Sequence, residues 1–86
     1  MFVYILGSIE HSKFYTGLTE DIDRRFLEHN KGLVRSTKFY RPFRLVHVEV
    51  VTDRREARSL EKYFKSGYGR EVIKEIAGEI DNLTPQ

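Results

Sequence analysis

The sequence predicts an α+β domain in which flanking helices cover a small, mainly antiparallel three-stranded sheet, in the order ββαβαα. Three observations predict it. Two short β-branched and aromatic runs lie close together near the start, a third run alternates apolar and polar residues in mid-chain, and the segments around it repeat apolar residues at helical spacing. With 86 residues, 40 % of them apolar and 13 % aromatic, the chain has material for one core and no room for a second. The expected division is one domain over 1–80 and a C-terminal tail over 81–86.

Phe2-Val3-Tyr4-Ile5-Leu6 is broken by Gly7 and Ser8, and Lys13-Phe14-Tyr15-Thr16-Gly17 follows after a polar loop, which together read as a β-hairpin. Thr19 and Asp21 are capping types ahead of Ile22, Phe26 and Leu33, so a helix should begin near residue 20 and end before Gly32. Asp21 and Asp23 read as charges that favour the dipole of that helix. Residues 31 to 43 lack periodicity and read as an exposed, basic loop. In Leu45 to Val51, valines at 46, 48 and 50 alternate with His47 and Glu49, the pattern of a strand with one buried face. Asp53 and Glu56 resemble a capping box for a second helix over about 53 to 66, with Ala57, Leu60 and Phe64 as its apolar stripe and Gly67 and Gly69 as its stop. Val72, Ile73, Ile76 and Ile80 predict a third, shorter helix, and Asn82 to Gln86 a frayed tail.

Composition removes several function classes. Without cysteine there is no disulfide framework and no thiolate metal site. No G-x-S-x-G elbow, Walker loop, G-x-G-x-x-G or H-E-x-x-H occurs. The apolar run Phe2 to Leu6 is too short for a signal sequence or a membrane span, so the expected location is cytoplasmic, with no membrane partner. Net charge is only +2, yet Arg24, Arg25, Lys31, Arg35, Lys38, Arg41 and Arg44 face a single acid, Glu28, over 24–44. That stretch is a candidate phosphate-facing surface, with Arg24, Lys31, Arg35, Lys38 and Arg41 as its nucleic-acid contacts; the plainer reading is a solvated basic face.

A sparse polar set remains. A hairpin brings Tyr4 and Tyr15 into one neighbourhood, where either phenol can donate to a phosphate or, with its pKa lowered, activate water; the alternative is a pair of half-buried strand aromatics. Arg25 and His29, four apart on the first helix, share a face: a guanidinium can neutralise phosphate oxygens while an imidazole moves a proton, or the two are an idle exposed pair. Glu61 sits at the edge of the apolar stripe of the second helix. It needs a partner there, either magnesium or manganese or a neighbouring base such as Arg58, Lys62 or Lys65.

The order and spacing of these residues resemble the GIY-YIG nuclease family. Val3-Tyr4-Ile5 and Tyr15-Thr16-Gly17 are similar to the two halves of its motif, and Arg25 with His29, in Asp23-Arg24-Arg25-Phe26-Leu27-Glu28-His29-Asn30, to its catalytic arginine and the His or Tyr that follows. Glu56-Ala57-Arg58-Ser59-Leu60-Glu61-Lys62 is similar to the helix carrying its metal-binding glutamate, and Arg41-Pro42-Phe43-Arg44-Leu45-Val46 to the entry into the third strand. The likeness covers residues 2 to 76 and is strongest to small free-standing bacterial members, relatives of the N-terminal domain of an excision-repair nuclease subunit. Phe2 stands where the motif has Gly and Thr16 where it has Ile; Leu18 and Thr19 stand where some members carry a lysine.

The resemblance implies a single GIY-YIG domain and a metal-dependent endonuclease acting on DNA, structure-selective and linked to repair or processing. Tyr4, Tyr15, Arg25, His29 and Glu61 would be catalytic. Glu61 would hold Mg2+ or Mn2+, Arg25 would stabilise the phosphate, and Tyr4, Tyr15 or His29 would activate water, with the base left open. Gly17 would supply a tight turn. Two other functions compete: a nucleic-acid-binding module that does not cut, and a protein-interaction domain using Phe39, Tyr40 and Phe43 as an exposed patch. For the nuclease, a homodimer or a protein partner is the expected means of cutting both strands.

Overall fold

The computed structural model describes residues 1–83. Strands β1 (Phe2–Ser8), β2 (Phe14–Thr19) and β3 (Phe43–Val50) form one antiparallel sheet in the order β2-β1-β3. Helices α1 (Ile22–Asn30), α2 (Arg54–Lys65) and α3 (Gly67–Leu83) complete the ββαβαα order that the sequence predicts. The central strand explains the architecture. Val3, Tyr4, Ile5 and Leu6 are all buried, because β1 is covered on both faces, and alternate residues feed two separate apolar clusters. Val3 and Ile5 pack with Val46, Val51, Ala57, Phe64, Ile73 and Ala77 beneath α2 and α3. Tyr4 and Leu6 pack with Phe43 and with Ile22 and Phe26 of α1 on the opposite face.

Local chemistry sets the helix limits. Asp21 caps α1 by accepting from the Arg24 amide at 3.0 Å, and Asp53 caps α2 by accepting from the Glu56 amide at 2.9 Å. The capping box is only half made, since the Glu56 carboxylate accepts from the Thr52 hydroxyl. Ile22 and Phe26 face the sheet as expected, whereas Leu33 lies past the end of α1 and is exposed.

Four expectations about the elements are corrected. The valines of β3 do not share one buried face: Val46 enters the α2/α3 cluster, Val48 the α1 cluster, and Val50 is 74 % exposed. The cause is a bulge. Ile5 pairs with His47 and Leu6 with Leu45, so Val46 is an extra residue that switches the parity of the strand. The third helix is not short, for α3 spans 17 residues and begins at Gly67, one residue after α2 is capped by Ser66. Gly69 is no stop signal either; it lies where a Cβ would come within 2.0 Å of the Tyr63 carbonyl, so its lack of a side chain lets α3 fold back against the end of α2. Asn82 and Leu83, read as tail, continue α3, and residues 84–86 lie outside the described residues.

Candidate active site

Tyr4 anchors the site from the middle of the sheet. Its cross-strand partner is Gly17, and a Cβ on that glycine would lie 2.5 Å from the Tyr4 hydroxyl. Gly17 therefore gives the phenol room to lie across β2. It makes no turn, being in mid-strand without a positive φ. Tyr15, two residues earlier on the same face, places its ring 6.2 Å from that of Tyr4.

Helix α1 brings His29 over these two rings, 5.8 Å from Tyr4 and 5.1 Å from Tyr15 between centroids, with Phe43 behind it at 6.0 Å. His29 is fully buried, so it and Arg25 are not an exposed pair. Its two ring nitrogens are both engaged: Nε2 with the Tyr4 hydroxyl at 2.9 Å and Nδ1 with Thr37 Oγ1 at 2.7 Å. Thr37 donates its own proton to the Val34 carbonyl at 3.4 Å, so its oxygen is free to accept from Nδ1–H. One tautomer completes this pairing. Nε2 bears the lone pair, and the Tyr4 hydroxyl donates to it.

Arg25, one turn before His29, sets its guanidinium beside the Tyr4 hydroxyl and bonds Glu28 Oε1 at 3.2 Å. Burial pushes the Tyr4 phenol above its ordinary value, and the hydrogen bond from Arg25 pulls the other way. The arginine is held still more firmly in its charged form, chiefly by the bond to Tyr4. Burial, reinforced by the Arg25 charge, lowers the His29 pKa and keeps the imidazole neutral at pH 7.

The structure thus brings Tyr4, Tyr15, Arg25 and His29 together on the α1 face of the sheet. Glu61 comes from a different helix. It projects from α2, which packs on the opposite face, and its carboxylate accepts from Lys65 Nζ at 3.2 Å. A cleft of about 440 Å3 at the edge of β2 is lined by Tyr15, Phe64 and Lys65. Among the described residues no three His, Asp or Glu side chains converge as a metal cage. A lone, partly exposed carboxylate still fits magnesium or manganese, which often bind through one or two carboxylates with water and substrate phosphate filling the remaining positions.

The basic stretch is less uniform than its sequence. Arg24, Lys31, Arg35 and Lys38 are exposed. Arg41 is exposed too, but it donates to the Lys38 carbonyl at 2.7 Å, beside Gly32. Arg44 is committed to Asp81 of α3. The proposed aromatic patch also divides, because Phe39 is 73 % exposed and Tyr40 half-buried, while Phe43 is buried behind His29. Sequence reasoning missed Thr37 and Asn30. Asn30 clamps α1 to β3, accepting from the Phe43 amide at 2.6 Å and donating to its carbonyl at 3.3 Å. Its place at the end of a capped helix was the one available signal; Thr37, in an aperiodic loop, gave none.

A three-stranded sheet with a tyrosine, histidine and arginine gathered over its central strand defines a small α+β domain with a polar cluster on one face. A profile of the GIY-YIG catalytic domain matches residues 1–74. The chain belongs to the GIY-YIG family, a nuclease superfamily. A UPF0213 protein of Haloquadratum walsbyi is 40 % identical over 79 residues, covering 91 % of this chain and 86 % of its own. Another, from Staphylococcus epidermidis, is 36 % identical over 76 residues, covering 87 % and 92 %. The solution NMR structure of a UPF0213 protein from Bacillus halodurans is 33 % identical, covers 87 % of this chain and 82 % of its own, and superposes with a TM-score of 0.52.

Proposed function

We propose that the protein is a divalent-metal-dependent endonuclease that hydrolyses phosphodiester bonds in DNA, choosing its substrate by structure and serving repair or processing. The observation that carries this reading is the buried chain Tyr4, His29, Thr37 with Arg25 beside the phenol. As a water attacks phosphorus, its proton passes to the Tyr4 oxygen while the phenolic proton moves to His29 Nε2; the bond from phosphorus to the leaving sugar oxygen breaks, and that oxygen takes its proton from solvent. The neutral imidazole is the acceptor this transfer needs, and its Nδ1–H stays tied to Thr37. Arg25 neutralises charge on the non-bridging phosphate oxygens, and Tyr15 lines the approach. Glu61 would hold the metal, which supplies Lewis-acid stabilisation of the phosphate and its leaving oxygen. Binding would free Glu61 from Lys65.

The test is incubation with labelled duplex, branched and single-stranded DNA and with RNA, in magnesium or manganese. Metal-dependent cutting that disappears in Tyr4→Phe, Arg25→Ala and Glu61→Ala is the expected result. One observation favours a second reading, a module that binds without cutting: Glu61 already has a partner in Lys65. Binding without turnover at any metal concentration, unchanged by Glu61→Ala, would establish that alternative. Among the described residues no helix is long and apolar enough to cross a membrane. A cytoplasmic location is proposed on the same footing, and exposed Phe39 is the natural contact for any protein partner or homodimer.

A further inference from the structure

The outer face of α2 carries Arg54, Arg58 and Lys62 at successive four-residue intervals, flanked by Arg55, and all four are exposed. None forms an ion pair or side-chain hydrogen bond among the described residues, since the acids of the same helix are engaged elsewhere, Glu56 with Thr52 and Glu61 with Lys65. Two features make this arrangement unfavourable for the helix alone. Like charges four apart repel, and Arg54 and Arg55 occupy the first turn, where the helix dipole disfavours cations. The row, together with Ser59, lines a shallow depression. It runs past Glu61 toward Lys65, and Lys65 opens onto the cleft that Tyr15 also lines.

We infer that this row is a phosphate track: the sugar–phosphate backbone of a nucleic acid lies along α2, one phosphate per cation, and is led past Glu61 to the cleft at the β2 edge. The rise of four helical residues, about 6 Å, spaces the cations regularly along the helix axis. The principal binding surface is then α2, with the 31–44 loop in a lesser role, because there Arg41 and Arg44 already have partners. The inference rests on the nuclease reading for its substrate class, but it concerns binding and stands or falls without turnover.

The experiment measures binding of fluorescently labelled duplex DNA, single-stranded DNA and RNA by anisotropy, in chelator and over a series of salt concentrations. Wild type is compared with Arg54→Glu/Arg58→Glu/Lys62→Glu, with the milder Arg58→Gln/Lys62→Gln, and with Arg35→Glu/Lys38→Glu in the loop. Loss of three phosphate contacts should flatten the slope of log K against log salt by about 3 for duplex, or about 2 for a single strand, and weaken binding more than tenfold. The double glutamine variant should flatten it by about 2 for duplex, and the loop variant should change the slope less than either. An unchanged slope in the glutamine variant, a loop variant that loses more than the α2 variants, or no binding by the wild type would each overturn the track. Cleavage plays no part in this readout, so a protein that binds along α2 without cutting would sink the nuclease reading alone.

Discussion

At the scale of single residues, the candidate site centres on one phenol and one imidazole, both largely buried. Tyr4→Phe removes only an oxygen from a buried ring, so the fold should persist while nucleolytic turnover falls by roughly 10²- to 10⁴-fold, the range lost with a general acid–base group; single-turnover cleavage beside a thermal melt separates the two effects. His29 has its pKa lowered by burial, which fixes the sign of a pH effect on stability. Below the ordinary value of 6.5 the unfolded chain takes up a proton that the native imidazole resists, so the unfolded state binds more protons and stability falls as pH drops. Above that value both states are neutral and this contribution is flat. Urea midpoints between pH 7.5 and 5 should therefore decline in wild type, and less so in His29→Gln. Thr37→Val leaves Nδ1–H buried without an acceptor and should cost about 1–3 kcal/mol in urea unfolding. The tyrosines, Arg25 and His29 were legible because hairpin pairing and the four-residue helix repeat convert sequence spacing into proximity. Thr37 was not, since it reaches His29 from a segment whose path follows no repeat.

At the scale of elements, caps and apolar spacing made the helix starts legible, while glycines and the bulge misled. Gly69 looks like a helix stop in sequence because glycine usually is one; here it permits the close approach of α3 to the Tyr63 carbonyl. Gly69→Ala should thus destabilise the protein despite the better helix propensity of alanine, and a lowered melting temperature would check it. An unchanged or raised melting temperature would mean that the junction of α2 and α3 relaxes freely. Glu61 belongs to this scale also. The sequence placed it at the edge of the apolar stripe, and it is there, but no pattern within one helix could say which face of the sheet that helix would cover.

At the scale of the whole molecule, the sheet is one strand deep in its dependence. Both apolar clusters rest on β1, one through Val3 and Ile5 and the other through Tyr4 and Leu6. The two layers should consequently unfold in a single transition, with tyrosine fluorescence and far-UV circular dichroism melting together. Ile5→Ala, a large-to-small change at a fully buried position, should lower stability by about 2–5 kcal/mol without splitting that transition.

The extra residue in β3 acts as a half-period phase shift in the strand. Ahead of it, Phe43 points to His29 and Arg44 to Asp81; behind it, Val48 comes round to Tyr4. A one-residue deletion there would leave composition almost untouched yet reverse which face every residue on one side of it presents. Strand length at this point is consequently as much a determinant of the site as the tyrosine or the histidine, and a length change would disable the protein while sparing every residue of the motif.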